Sequence, residues 1–155
     1  MPETKDAATV AVSGVQFRGA PGILEGPQSG AHSITAKKIL VVDDEPMVRD
    51  MCRRLLDRMG HNTASADCGR EGIRAYLEAL DAGAPFDIVI LDLTLPDIGG
   101  TEVLGTMRRI STNAKFILST GYSNLSEDYS SLGFDAVLEK PFRMDMLNAL
   151  ISGLG

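Results

Sequence analysis

The chain predicts an α/β fold, a doubly wound parallel sheet of five strands alternating with five helices. Three observations point there. Short continuous apolar runs recur from Lys37 onward, Ile39-Leu40-Val41-Val42 first and Asp87 to Leu91 strongest. Runs of that kind suit strands buried on both faces, as in a parallel sheet. Between them lie stretches with helical spacing of apolar residues, and this strand–helix alternation calls for right-handed crossovers. The third observation is chemical. Asp43-Asp44, Asp92, Thr120 and Lys140 each end or follow one of the apolar runs. In an open parallel sheet the carboxyl ends of the strands share one edge, so these distant residues are expected to meet there.

Element by element, the first strand leads into a helix with Val48, Met51, Cys52, Leu55, Leu56 and Met59 at helical spacing, closed by Gly60. Glu45-Pro46 opens that helix, with Asp44 as a candidate cap. His61 to Ala66 is a weak strand, and Arg70 to Ala82 a helix with Ile73, Tyr76, Leu77 and Leu80 inward. The third strand, Asp87 to Leu91, lies between Pro85 and the loop Leu95-Pro96-Asp97-Ile98-Gly99-Gly100. Thr101 to Ile110 reads as a helix, Lys115 to Ser119 as a strand and Ser123 to Leu132 as a poorer helix. Asp135 to Leu138 makes the last strand. Phe142 to Ser152 closes the chain as a helix with Met146, Leu147, Leu150 and Ile151 inward.

Composition bounds the function. The 155 residues allow one domain plus a tail, and residues 1–36, rich in Gly and Pro without periodicity, read as a flexible tail or linker. A short extended patch over Val10 to Phe17 is the exception within it. Net charge is −6, from 15 basic and 21 acidic side chains, which argues against nucleic-acid or anionic-membrane partners. No apolar run approaches the roughly 18 residues a bilayer span needs. The N-terminus lacks a secretory pattern, so a cytoplasmic protein without membrane contact is expected. Cys52 and Cys68 have no metal-site spacing and read as packed or free thiols. His32 and His61 read as a polar tail residue and a loop residue.

At the shared edge the acids repel. In the 2-1-3-4-5 order common to such sheets the first and third strands are neighbours, which sets Asp43-Asp44 beside Asp92. Two unit charges ~4 Å apart cost about 4 kcal/mol at an effective dielectric near 20, and an added cation offsets this. A few hard oxygen ligands open to water suit Mg²⁺. Lys140 bridges acids in the empty state and holds a phosphoryl oxygen in the loaded one, while Thr120 offers a hydroxyl. Asp92 then becomes a nucleophile toward phosphorus, forming an acyl phosphate that biases a switch.

Ile39-Leu40-Val41-Val42-Asp43-Asp44-Glu45, Ile90-Leu91-Asp92-Leu93-Thr94-Leu95-Pro96, Leu118-Ser119-Thr120-Gly121 and Glu139-Lys140-Pro141-Phe142 together resemble the receiver domain of two-component response regulators. The resemblance spans about residues 37 to 153 and implies a flavodoxin-like fold, with residues 37–155 as the receiver. It implies that Asp92 is the phospho-acceptor, taking its phosphoryl group from a histidine kinase or histidine phosphotransfer protein. Asp44, Asp92 and the backbone carbonyl of Thr94 would bind Mg²⁺, with Asp43 acting through water. Thr120 and Lys140 would contact the phosphoryl group, and the Lys140–Pro141 bond would be cis.

One position departs from the pattern. Val137 stands three residues before the lysine, where many receivers carry Tyr or Phe, and Tyr122 lies near enough in sequence to substitute in part. The Thr120-Gly121-Tyr122-Ser123 run resembles receivers attached to hybrid sensor kinases. The chain stops just after its fifth predicted helix, so no output domain is expected, and self-association as a homodimer stays open. A switch with at most slow self-dephosphorylation, rather than a turnover enzyme, is the reading. Its rivals are a Mg²⁺-dependent haloacid-dehalogenase-like phosphatase and a non-phosphorylated docking module. Against the phosphatase, Thr94 stands where that family usually carries a second Asp, and its metal acids follow the nucleophile rather than precede it. Arg49, Arg53 and Arg58 on the first helix mark the expected kinase-docking surface.

Overall fold

The computed structural model describes residues 35–121 and 129–154. The tail expected over residues 1–36 (save its last two), the patch Val10 to Phe17, His32, Tyr122 and the first part of the helix expected from Ser123 lie outside the described residues.

The elements are β1 (Lys38–Val42), α1 (Pro46–Arg58), β2 (Asn62–Ala66), α2 (Gly69–Asp81), β3 (Ile88–Asp92), α3 (Gly100–Ile110), β4 (Lys115–Thr120), α4 (Tyr129–Leu132), β5 (Ala136–Glu139) and α5 (Met144–Leu154). They form one parallel sheet in the order β2-β1-β3-β4-β5. The fold is therefore the flavodoxin-like one expected.

Strand β3 lies at the centre with all five residues buried. Its side chains alternate between two cores. Val89 and Leu91 join Tyr76, Val103, Met107 and Phe116 on one face. Ile88 and Ile90 join Cys52, Leu56, Leu147 and Ile151 on the other. Full burial of each such aliphatic side chain contributes about 1.5–3 kcal/mol, so the strand that ends in Asp92 is also a main anchor of the sheet. Edge strand β2, by contrast, is largely half-exposed, which accounts for its weak apolar signal.

The helices depart from expectation at their flanks. Tyr76 is buried and stacks on Phe86 at 6.5 Å between ring centroids. Leu77, expected inward, is 43% exposed, and Met146 and Met51 are 39% and 37% exposed. Each sits beside its apolar stripe rather than at its centre, where the sheet no longer reaches. Asp44 does not cap α1: the N-cap is Glu45, which makes no side-chain capping bond, and Pro46 begins the helix. After α1, Gly60 takes φ +90, a left-handed conformation that L side chains rarely adopt. His61 does precede β2, yet it is buried and its Nδ1 accepts the Lys37 backbone N–H at 3.1 Å.

Candidate functional site

The site grows from strand ends. Strand β1 delivers Asp43, 1% exposed, whose backbone N–H donates to the Ala66 carbonyl at 3.1 Å. Its Oδ1 accepts the Glu45 N–H at 2.9 Å, and Arg49 donates 2.7 Å to its carbonyl oxygen. The turn carrying the paired acids is thus braced from the first turn of α1 by the half-exposed Arg49. Asp44, next along, is exposed.

Asp92 ends β3 and lies in register with Ser119 of β4. Its Oδ1 accepts the Thr94 N–H at 3.1 Å and its Oδ2 accepts from Lys140 Nζ at 3.3 Å. Thr120 ends β4, is buried, and accepts the Lys140 N–H at its backbone oxygen at 2.8 Å. The Lys140–Pro141 peptide is cis. From there the lysine reaches back across the edge, with its ammonium 2.8 Å from Asp43 Oδ2, 3.1 Å from Glu45 Oε1 and 3.3 Å from Asp92 Oδ2.

Charge crowding is visible in the ionisation of these groups. Burial raises the Asp92 pKa, and the nearby Asp43 charge adds to this. Together they outweigh the Thr94 N–H and the Lys140 ammonium, which pull it down. For Lys140, burial acts downward, but Asp43, Asp92 and Glu45 prevail and hold the ammonium well above its ordinary value. Cys52, buried beneath the site, is pushed up to about 12 by burial first and by Asp43 second. It is a packed, free thiol, as is the half-buried Cys68.

One carboxylate oxygen from each of Asp43, Asp44 and Asp92 falls within 4.8 Å of the others. Asp43 Oδ2 is buried and, although ion-paired with Lys140, has no aligned hydrogen-bond donor. An oxygen-only donor set with an under-satisfied buried carboxylate fits a small hard dication such as Mg²⁺.

Two features escaped the sequence reading. Glu45 joins Lys140 from 95 positions away. Asp97 reaches from the β3–α3 loop to the start of α2, where its carboxylate accepts the Gly69 and Arg70 N–H groups, both at 2.8 Å. Desolvation pushes the Asp97 pKa upward, but the N–H donors of Arg70, Gly69, Ile98 and Asp97 itself together outweigh it and hold it well below the usual carboxylate range. A hint existed in the sequence. Helix α2 starts at Gly69, and its N-cap Cys68 supplies no side-chain capping bond, so its first N–H groups needed an acceptor from elsewhere. Close packing reinforces the same loop: a Cβ on Gly100 would overlap the Asp92 carbonyl oxygen.

Comparison with known proteins agrees with this arrangement. Residues 39–152 match the family model of the response regulator receiver domain. The chain is 31% identical over 131 residues to the transcriptional regulatory protein TcrA of Mycobacterium tuberculosis, covering 83% of this chain and 50% of that protein. It is also 31% identical over 121 residues to the cell cycle response regulator CtrA of Brucella ovis, covering 76% and 49%. It thus spans about half the length of the curated relatives it matches. Among solved structures it resembles the response regulator TrrA of Thermotoga maritima, in complex with Mg²⁺-BeF. Identity is 38% and TM-score 0.65, covering 77% of this chain and 99% of that one. The chemotaxis protein CheY4 of Vibrio cholerae superposes with TM-score 0.67 at 25% identity, covering 78% and 100%. Fold, motif order and family match agree: this chain belongs to the response regulator receiver domain family of two-component signalling.

Proposed function

We propose that the domain takes a phosphoryl group onto Asp92 from a histidine kinase or histidine phosphotransfer protein, in the cytoplasm, and passes the change on as a conformational signal. The observation that carries this reading is one nucleophilic carboxylate, 8% exposed, set 3.3 Å from an ammonium and beside two further acids.

An Asp92 oxygen attacks phosphorus as the bond from phosphorus to the donor nitrogen breaks, and the freed imidazole keeps the electron pair and takes up a proton. Lys140 exchanges its carboxylate contacts for a phosphoryl oxygen, which its raised pKa supports by keeping it charged. Thr120 supplies its hydroxyl to another phosphoryl oxygen. Asp44, Asp92 and the Thr94 carbonyl would hold Mg²⁺, with Asp43 acting through water. When bound, the ion offsets the negative charge that gathers in the transition state. On this reading Asp43, fixed by Glu45 N–H and ion-paired to Lys140, keeps the ammonium poised between states.

Among the described residues no helix is long and apolar enough to cross a membrane. Helix α1 is the proposed kinase-facing surface. Met47 is 85% exposed there, and Arg53, paired with Asp50 of its own helix, is exposed.

Intact-mass measurement after incubation with Mg²⁺ and acetyl phosphate tests the proposal. One phosphoryl adduct is expected, absent in Asp92→Asn and without added Mg²⁺. Steady turnover of phosphate esters would instead favour a phosphatase, and kinase binding without a mass gain a docking module. Arg53→Glu should slow transfer from the kinase and leave uptake from acetyl phosphate unchanged.

A further inference from the structure

The three carboxylates around Lys140 are not equivalent. Asp43 and Asp92 are buried at their strand ends, with side chains 2% and 12% exposed, whereas the Glu45 side chain is 59% exposed. Glu45 holds the N-cap position of α1, yet its carboxylate makes no capping bond. Its backbone is pinned instead, by its N–H on Asp43 Oδ1 and by the following Pro46, which restricts the residue before it. The side chain therefore extends over the mouth of the site and meets the ammonium from the solvent side. A phosphodonor has to arrive from that side, because the strand-end acids already hold the buried one.

We infer that Glu45 is a built-in acidic competitor, occupying in the resting domain the face of Lys140 that an incoming phosphoryl group must take. The inference rests on the reading of Asp92 as phospho-acceptor. It makes Glu45 a specificity-determining residue that selects against free, highly charged phosphodonors. Capture of a small acyl phosphate forms an Asp92 oxygen–phosphorus bond and releases the carboxylate leaving group with its electron pair. Before that, the donor must displace Glu45 from the ammonium and approach against its negative charge. The second cost falls as the donor's negative charge falls, and both are screened by salt because Glu45 is exposed.

The test compares initial phosphorylation rates of the full chain with acetyl phosphate and with phosphoramidate, which carries one fewer negative charge at neutral pH. Glu45→Gln is expected to speed labelling by acetyl phosphate about two- to fivefold, the range of an exposed ion pair. The gain should be smaller with phosphoramidate and should shrink as salt is raised. Unchanged or slower labelling of Glu45→Gln, beside normal labelling of the wild type, would overturn this inference alone. So would a gain indifferent to donor charge and salt. A wild type that neither donor labels would overturn the phospho-acceptor reading, and this inference with it.

Discussion

At the amino-terminal edge of the sheet, Asp87 and Asp135 are matched to fixed donors. Asp87 Oδ2 accepts the Lys38 N–H at 2.8 Å. Asp135 Oδ2 accepts the Phe116 N–H at 2.8 Å and pairs with Arg108 at 3.1 Å. At the carboxyl-terminal edge, Asp43, Asp44 and Asp92 crowd within 4.8 Å, and one flexible lysine is shared among Asp43, Asp92 and Glu45. The same side chain serves as a staple at one edge and stands crowded around a shared cation at the other. The difference lies in the second oxygen: Asp43 and Asp92 each hold one backbone N–H on Oδ1, but their Oδ2 atoms share the lysine. Rigid backbone N–H groups satisfy a carboxylate permanently, whereas a single ammonium divided among acids can be redirected by a cation or a phosphoryl group.

The largest expected effect probes how tightly the reactive edge is held. Gly100→Ala places a methyl group against the Asp92 carbonyl and the Leu93 backbone, which cannot swing aside. A loss of about 3 kcal/mol in urea denaturation is expected, together with slower phosphoryl uptake. A smaller effect separates the edges by sign. Asp135→Ala strands the Phe116 N–H in the core and should cost about 2 kcal/mol while sparing phosphoryl uptake. Asp44→Asn, at an exposed acid in a crowd of like charge, should raise stability by less than about 1 kcal/mol and abolish the Mg²⁺-dependent uptake. Equal signs for the two stability changes would erase the contrast.

The smallest effect concerns His61, at the quiet edge. Burial, and then the Lys37 charge, lower its pKa, with Asp87 opposing in part. The folded state therefore resists protonation that the unfolded chain accepts. Its contribution is complete above the ordinary value of 6.5 and is lost as pH falls below that toward the depressed folded value. Thermal midpoints should decline between pH 7 and pH 5, and His61→Gln should flatten that part of the profile.

Much of the fold was legible because period and position coincide. Val89 and Leu91 against Ile88 and Ile90 show a strand buried on both faces, and Gly60 marks a helix end. The edge carrying Asp43, Asp92 and Lys140 was legible because a parallel sheet collects its strand ends. Periodicity could not tell a stripe's centre from its flank, so Leu77 and Met146 were placed inward although they are 43% and 39% exposed. Nor could it see partners joined only by tertiary structure. Asp97 on the α2 amides and Glu45 on Lys140 are separated from their partners by 28 and 95 positions, with no local rule linking them.

The burial of β3 has a further consequence. All five of its residues are enclosed between the two cores, so its amides should exchange with deuterated solvent only when the whole domain opens. The proposed phospho-acceptor carboxylate is thus mounted on the most deeply enclosed strand of the sheet. Whatever leaves this site as information has to be carried by the loops and helix faces around the strand, while the strand itself serves as the fixed anvil against which they move.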